Sequence, residues 1–269
     1  MVDLDAYFAR TGYRGPRTPT LDTLHALVHA HVHAIPFENL DVLLERPIQL
    51  DPESIQAKLV DARRGGYCFE QNGLLLEVLS QLGFEARPLS ARVRIGKPRE
   101  HIPARTHLCV RVELPRGELG DSWLVDVGFG GMSLTSALRL GVEGPQDTPH
   151  ETRRLVREGG RVFHQALLAG EWADLYELTL EEMPLIDRIV ANHYTSTHPD
   201  SHFRHSILVA RALPDGERLT ILNKELTRRR RGGVPEKQPI ATHDELIHIL
   251  REQFGLVLPE GTQLLRAIW

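Results

Sequence analysis

One cysteine lies where a nucleophile is expected. Cys68 follows the pair Gly65–Gly66, and the stretch after it carries apolar residues at three- and four-residue spacing. This spacing predicts a helix that runs through Leu82 and is capped by a left-handed Gly83. The free N–H groups and positive dipole at a helix start favour a thiolate, which is the nucleophilic form of cysteine. Cys68 is therefore a candidate for covalent acyl chemistry, whereas Cys109, inside an apolar run, is predicted to be structural.

A thiolate needs a base, and two strand-like segments supply candidates. Thr106–Leu114 and Ser122–Phe129 both contain alternating apolar residues. Residues 115–118 and Gly120 between them are typical of a short loop, so the pair is predicted to form a β-hairpin.

The register of this hairpin decides which side chains meet. If Leu114 pairs with Leu119, His107 lies directly opposite Asp126. Their Cβ atoms would then be about 4.5–5.5 Å apart on one face of the sheet, whereas a one-residue slip would separate them. A structural histidine and a turn-closing aspartate are the alternative interpretation of these two residues alone. Together with Cys68, they supply the nucleophile, base and orienting acid of a catalytic triad.

The motifs around these residues resemble those of the arylamine N-acetyltransferases. The order and spacing of the matching segments agree from near the N-terminus into the last third of the chain. The segments that carry the resemblance are Ile35–Leu40, Arg64–Asn72, Thr106–His107, Val125–Gly130, Asn192–Pro199 and Ser201–Phe203.

The resemblance implies an α+β, multi-domain fold with a cysteine-protease-like catalytic core. Residues 1–84 would form a helical bundle that carries Cys68. Residues 85–182 would form an antiparallel, β-barrel-like domain that carries His107 and Asp126, and residues 183–269 an α/β lid.

The patterning of the chain is compatible with this division. Residues 1–83 are mostly helical in pattern, and residues 85–180 contain many short alternating runs. Helices are predicted at Leu21–Ala34, Pro52–Ala62, Leu185–Thr195 and His243–Phe254, and further strands at Ala91–Ile95, Ser206–Ala212 and Arg218–Asn223.

The resemblance also implies an activity, namely acetyl transfer from acetyl-coenzyme A to an aromatic amine or hydrazine by a ping-pong mechanism. It places Phe37, Tyr67, Phe129 and Phe203 around the acceptor, although each alone would be interpreted as a core residue. It brings the flexible backbone of Gly128, Gly130 and Gly131 close to the thioester cofactor. Three alternatives remain open: a thiol hydrolase such as an amidase or peptidase, an amide synthase of secondary metabolism, and a non-enzymatic binding module.

Composition narrows the class of protein. A net charge of −4 and a pI near 6.4 argue against a nucleic-acid binder. No apolar run approaches the roughly 18 residues of a membrane span, and the N-terminal sequence is no signal peptide. Two cysteines in 269 residues make no disulfide framework. We therefore expect a cytoplasmic enzyme; the sequence does not predict its oligomeric state.

Two further patterns are assigned no catalytic role. His25, His29 and His33 share one face of a predicted helix, but no Cys or carboxylate stands at complementary spacing, so no metal is predicted. The run Arg228–Arg231 is predicted to be a solvated surface loop, with the phosphates of coenzyme A as an alternative partner.

Overall fold

The first third of the chain is helical, as the spacing of its apolar residues predicts. A computed structural model describes residues 1–114 and 122–264 of the protein. The α-helices in these ranges are α1 (Leu4–Thr11), α2 (Leu21–Ala34), α3 (Leu40–Leu43), α4 (Pro52–Ile55), α5 (Cys68–Gln81), α6 (Leu185–Thr197) and α7 (His243–Phe254).

Most helix bounds agree with the prediction, and one helix differs in kind. Helices α2 and α7 have the predicted bounds, and Gly83 is left-handed with φ of +85°. The helix predicted at Pro52–Ala62 instead passes from α4 into a π-helical stretch at Gln56–Asp61. A π-helix is wider than an α-helix, and apolar spacing alone does not distinguish the two.

The middle and last thirds of the chain supply most of the strands. They are β1 (Phe37–Glu38), β2 (Glu85–Val93), β3 (His107–Glu113), β4 (Ser122–Val125), β5 (Leu138–Arg139), β6 (Gln146–Asp147), β7 (Thr152–Glu158), β8 (Arg161–Leu168), β9 (Glu171–Glu182), β10 (Leu208–Leu213), β11 (Glu217–Leu222), β12 (Glu225–Arg230) and β13 (Glu236–Pro239).

Strand bounds were predicted less well than helix bounds. The strand predicted at Ala91–Ile95 begins at Glu85, and the one predicted to reach Phe129 ends at Val125. The run Arg228–Arg231, predicted to be a loop, lies mostly on β12. Four consecutive charges hide the period of two that marks a strand, because none of them is apolar.

Strands β2 to β9 form a curled antiparallel sheet with the order β5-β4-β3-β2-β9-β8-β7-β6 among the described residues. The side chain of Gln146 on one edge joins the two edges. Its Oε1 accepts from Arg139 N at 2.8 Å, and its Nε2 donates to Arg139 O at 3.1 Å. The sheet is therefore a nearly closed barrel.

The register between β3 and β4 differs from the predicted one by two residues. Val110 lies opposite Val125, and the ladder ends at Glu113 and Ser122. The direct pairing of His107 with Asp126 was therefore wrong. A shift of two keeps each side chain on its predicted face, because the side-chain period of a strand is two. The predicted loop, including Leu119, lies outside the described residues.

A second sheet has the order β1-β10-β11-β12-β13 in the described part of the chain. Its first strand comes from the helical third, where Phe37 pairs with Ala210. Helix α7 covers this sheet, and its Leu250 and Phe254 share one buried cluster with Ile221. The division at residues 84 and 182 stays a prediction.

Helix α5 is held between the other N-terminal helices and the barrel. Its Leu75 and Val78 share one buried cluster with Leu27 of α2 and with Val110 and Val125 of the barrel. This packing fixes the start of α5 beside β3 and the end of β4.

No helix in residues 1–114 and 122–264 is both long enough and apolar enough to cross a membrane.

Candidate active site

Cys68 is the first residue of α5 and is 3% exposed. The preceding Tyr67 has an extended backbone, so the chain enters the helix at Cys68 itself. The sulfur lies 3.7 Å from the carbonyl oxygen of Thr106. The helix start therefore brings the thiol to the residue that precedes the predicted base.

The turn before Cys68 is tightly packed. A Cβ on Gly65 would lie 2.1 Å from the carbonyl oxygen of Pro36, so only glycine fits there. Glu38 N donates to Gly66 O at 3.0 Å and ties this turn to β1. The position of Cys68 thus depends on two segments that are distant in sequence.

Glu70 lies in the first turn of α5, but its carboxylate is bound by groups that precede this helix. One carboxylate oxygen accepts from Tyr67 N at 3.0 Å, and the other accepts from Lys58 Nζ at 2.7 Å. Burial alone would lower the pKa of Lys58, but Glu70, Glu38 and Asp41 raise it. The negative charge of Glu70 is therefore paired with a lysine.

His107 and Asp126 meet although they do not face each other directly in the ladder. The His107 Nε2 atom lies 2.7 Å from Asp126 Oδ2, and both side chains are buried. Burial alone would lower the pKa of His107, but the Asp126 carboxylate and the nearby Cys68 side chain raise it to about 10. The ring therefore holds a proton at neutral pH, and an imidazolium beside a cysteine favours its thiolate.

Asn72 joins α5, the helix that carries Cys68, to Asp126. The sequence analysis did not predict this contact. Its Nδ2 donates to Asp126 Oδ1 at 2.9 Å and to Leu108 O at 2.6 Å, and its Oδ1 accepts from Val127 N at 2.9 Å. The available signal was its position four residues after Cys68, on the same face of the helix.

Two aromatic rings enclose the His107 imidazole. The ring centroid of Phe129 lies 4.7 Å from that of His107, and the centroid of Tyr176 lies 5.1 Å from it. Tyr176, on β9, is fully buried and carried no sequence signal that distinguished it from a core residue. These rings exclude water from one side of the imidazole and limit its rotation.

The other predicted aromatic residues gather around the start of α5. Tyr67 and Cys68 share a buried cluster against which Phe37 and Phe203 pack. The centroid of Phe203 lies 5.6 Å from that of Tyr67 and 6.3 Å from that of Phe37. Tyr67 is fully buried, whereas the Phe37 and Phe203 rings are half-buried and offer surface to a ligand.

This arrangement has counterparts among known proteins. A family model described as N-acetyltransferase matches residues 20–263. The arylamine N-acetyltransferase of Mycolicibacterium smegmatis is 46% identical over 259 residues, which cover 96% of this chain and 93% of the relative. The enzyme of the same name from Escherichia coli is 44% identical, over 94% of this chain and 88% of the relative.

Solved structures of arylamine N-acetyltransferases have the same fold as this chain. The arylamine N-acetyltransferase of Salmonella typhimurium superposes with a TM-score of 0.90 at 40% identity, over 100% of this chain and 97% of that one. The Mycobacterium marinum enzyme in complex with CoA gives 0.90 at 41% identity, over 94% and 92%. The chain belongs to the arylamine N-acetyltransferase family. The family and the α+β fold that the sequence predicted are thereby confirmed, and the protein is an acyltransferase.

The glycines expected near the cofactor of an arylamine N-acetyltransferase follow β4 and pack against three different parts of the chain. A Cβ on Gly128 would lie 2.7 Å from the Cys68 Cα atom, and Gly128 N donates to Asp126 Oδ1 at 3.1 Å. Gly130 lies against the Phe37 ring, and a Cβ on Gly131 would lie 2.5 Å from Thr220 Cγ2. Their role toward a cofactor stays a prediction.

The arginine run is engaged within the protein. Arg229 pairs with Glu151 at 2.7 Å, Arg231 pairs with Asp147 at 3.3 Å, and both Arg228 and Arg230 pair with Glu217. These carboxylates neutralise much of the charge of the run. The prediction that this run is a solvated surface loop did not include these ion pairs.

The histidines of α2 have protein partners. His25 Nδ1 lies 2.8 Å from Ser136 Oγ, and the His29 and His33 rings are stacked with centroids 4.0 Å apart. No group of three or more His, Cys, Asp or Glu in residues 1–114 and 122–264 is arranged to hold a metal ion.

Proposed function

We propose that this protein transfers the acetyl group of acetyl-coenzyme A to an arylamine or arylhydrazine through an acetyl-Cys68 intermediate. The observation that carries the proposal is the 2.7 Å pair of His107 and Asp126, which raises the pKa of the ring beside the Cys68 side chain. The family and the CoA complex of the Mycobacterium marinum relative support the choice of donor.

In the first half-reaction the Cys68 thiolate attacks the thioester carbonyl. The carbonyl oxygen takes up negative charge, which the backbone N–H of Cys68 at the start of α5 stabilises. The bond to the coenzyme A sulfur then breaks, and His107 gives its proton to that sulfur. The acetyl group remains on Cys68.

In the second half-reaction the nitrogen of the acceptor attacks the acetyl group. His107, now neutral, takes the proton that the nitrogen loses, and the carbon–sulfur bond to Cys68 breaks. Asp126 keeps the ring in one orientation and stabilises the imidazolium. Because both substrates use one sulfur, coenzyme A must leave before the acceptor reacts, which gives ping-pong kinetics.

The half-buried rings of Phe37, Phe129 and Phe203 support an aromatic acceptor, since part of each ring remains accessible. Tyr67 supports these rings from beneath, because it is fully buried against Phe203 and its hydroxyl is bonded to Asn192. We propose that the thioester contacts the backbone of Gly128, Gly130 and Gly131, of which Gly128 lies beside Cys68 and Gly130 against the Phe37 ring. We propose a cytoplasmic compartment, since the thiol must stay reduced.

The first prediction concerns the nucleophile. Acetyl-coenzyme A without an acceptor should add one acetyl group, about 42 Da, to Cys68. Cys68→Ser should abolish both the adduct and turnover, because a serine hydroxyl stays protonated near neutral pH. Intact mass and peptide mapping measure this, with Cys109 as the internal control, since burial raises its pKa well above the ordinary value. An acetyl group on Cys109 would contradict the proposal.

The same preparation separates transfer from hydrolysis. Release of free coenzyme A should be slow without an acceptor and should increase on addition of an arylamine such as an aminobenzoate. If release were equally fast without the amine, the protein would be a thiol hydrolase.

A further inference from the structure

A cavity lined by arginines lies between the outer face of the barrel and the loop that joins β2 to β3. Its volume is about 200 Å³. Pockets that hold whole small molecules have volumes of roughly 300–1,000 Å³, so this cavity suits one group of a larger ligand. The polar residues that line it are Ser90, Arg92, Arg105, Arg161, Glu177 and Thr179.

Two other arginines fasten the loop to the barrel. The buried Arg94 donates from Nε and Nη2 to Glu177 Oε2 at 3.0 and 2.6 Å, and from Nη1 to Pro98 O at 3.1 Å. Arg99 Nε donates to Asp174 Oδ2 at 2.8 Å. The loop is therefore held by residues other than the three arginines that line the cavity.

Positive charge is in excess at the cavity. Arg161 Nη1 lies 3.1 Å from Glu177 Oε2, and Arg92 Nε lies 3.9 Å from Glu177 Oε1. Arg105 pairs with the exposed Glu181 at 3.4 Å. Burial and the Arg105 guanidinium lower the pKa of Arg92, although Glu177 raises it. Three guanidinium groups thus line a cavity that contains one carboxylate.

The lining residues keep donors that an oxyanion needs. A guanidinium has five N–H donors in a fork that matches the geometry of a carboxylate or phosphate. In Arg105 and Arg161, Nη1 alone is engaged by a carboxylate of residues 1–114 and 122–264. The Thr179 hydroxyl has no hydrogen-bond partner in the same part of the chain. These groups can bind several oxygens of one ligand.

The cavity lies on the side of the barrel that faces Cys68. Ser90 is directly opposite Leu108 in the β2–β3 ladder, so their side chains share one face of the sheet. Leu108 and Cys68 belong to one buried cluster. Arg105 also precedes Thr106, whose carbonyl oxygen lies 3.7 Å from the Cys68 sulfur.

The order of the strands places the cavity on the acceptor side of the sulfur. Its residues come from β2, β9 and β8, whereas the glycines proposed to contact the thioester follow β4, on the other side of β3. The cluster of Leu108 and Cys68 is the one against which Phe37 and Phe203 pack. The cavity is therefore next to the aromatic residues proposed for the acceptor.

We infer that this cavity binds the carboxylate of an acidic arylamine acceptor, with Arg105 and Arg161 as the main donors. The inference rests on the proposed function, because it concerns the second substrate of that reaction. A carboxylate bound by guanidinium groups makes charge-assisted hydrogen bonds, which a neutral amide of the same shape cannot make. The protein should therefore prefer acidic arylamines to their neutral amides.

The preference is measured as the ratio of kcat/KM for an acid to kcat/KM for its primary amide. Para-aminobenzoate and para-aminohippurate present the carboxylate at two distances from the amine. For at least one of them the wild-type ratio should be about ten or more, because the neutral amide leaves the arginines unpaired. In a ping-pong reaction kcat/KM for the acceptor reports the second half-reaction, so the donor does not affect the ratio.

The double variant Arg105→Gln, Arg161→Gln should lower this ratio to below about three. Arg94 still pairs with Glu177 in this variant, so the barrel should remain folded, which thermal unfolding checks. The matched control is Arg14→Gln, Arg157→Gln, which removes two exposed arginines elsewhere and should keep the wild-type ratio. A wild type without the preference, or a double variant that retains it, would overturn the inference.

A binding measurement separates this inference from the proposed function. Calorimetric titration with the N-acetylated acids and amides needs no turnover, and the acids should bind more tightly to the wild type than to the double variant. Tighter binding of the acids without acetylation of Cys68 would support the cavity and contradict the proposed function. Conversely, normal acetylation with an unchanged ratio and a raised KM for acetyl-coenzyme A in the double variant would assign the cavity to a donor phosphate and overturn the inference.

Discussion

The Asp126 carboxylate links the two strands of the site to the helix that carries the sulfur. One oxygen contacts His107, and the other accepts from Asn72 and from Gly128 N. Three groups are thus held by one side chain that is fully buried. A buried acid with both oxygens satisfied is fixed in orientation, which in turn fixes the imidazole.

Asp126→Asn is the residue-scale prediction. The amide keeps the shape but removes the charge that raises the pKa of His107, so the ring should lose its proton near neutral pH. The equivalent change in a serine protease lowers kcat by about four orders of magnitude, and a loss of similar size is expected here. Asp244→Asn, on the exposed start of α7, should leave kcat within about twofold. Steady-state kinetics would measure both.

A folded Asp126→Asn protein with near-normal turnover would contradict the assignment of Asp126 to the catalytic triad. Thermal unfolding must accompany the kinetics, because the amide also alters a buried hydrogen-bond network that joins α5 to the barrel.

At the scale of helices and strands, the sequence predicted the features that depend on local periodicity. It predicted α2, α5 and α7 closely, because each has an apolar stripe and a capping signal. It predicted the faces of β3 and β4 but not their register, since register depends on the length of the connecting loop. The π-helical stretch at Gln56–Asp61, which carries Lys58, has no periodic signature of its own.

Gly128→Ala tests how closely the loop after β4 must approach α5. The new Cβ would lie 2.7 Å from both Cys68 Cα and Asn72 Nδ2, so the loop and helix must separate. We expect kcat to fall at least about tenfold and the unfolding free energy to fall by about 1–3 kcal/mol. Gly233→Ala is the control, because a Cβ there meets its nearest atom at 3.5 Å. If the two variants were equally active, the close approach would not matter for catalysis.

At the scale of the whole molecule, contacts between distant segments complete the structure. Gln146 joins the barrel edges, β1 adds a strand of the first third to the second sheet, and Asn39 Nδ2 donates to Phe203 O at 2.8 Å. A single sequence carries no signal for such pairs, because each partner alone is typical of an ordinary turn or strand. The resemblance to a family, and not periodicity, predicted the overall arrangement.

A buried chain of hydrogen bonds connects three helices to the turn before Cys68. The Tyr7 hydroxyl lies 3.0 Å from His31 Nδ1, and His31 Nε2 lies 2.7 Å from Gln71 Oε1. Gln71 Nε2 donates to Pro36 O at 2.7 Å and to Gly66 O at 3.2 Å. His31 is therefore neutral in the folded protein, where it donates to one neighbour and accepts from the other.

The last prediction concerns the pH dependence of stability. Burial lowers the pKa of His31 from 6.5 to about 4. Between these values the unfolded chain binds more protons than the folded one, so the unfolding free energy falls as the pH falls. The difference of pKa corresponds to at most about 3 kcal/mol between pH 7 and pH 4.

Urea unfolding of the wild type and of His31→Gln at pH 6.5 and 4.5 isolates this contribution. The variant should be less stable at pH 6.5, because the hydrogen-bond chain is altered, but its stability should fall less on acidification. His101→Gln, at an exposed position, should keep the wild-type pH dependence. Buried carboxylates such as Glu151, whose pKa the surrounding arginines lower, also destabilise the fold in acid and are common to all three proteins. An identical loss of stability in the wild type and His31→Gln would show that the buried imidazole does not set the acid limit of the fold.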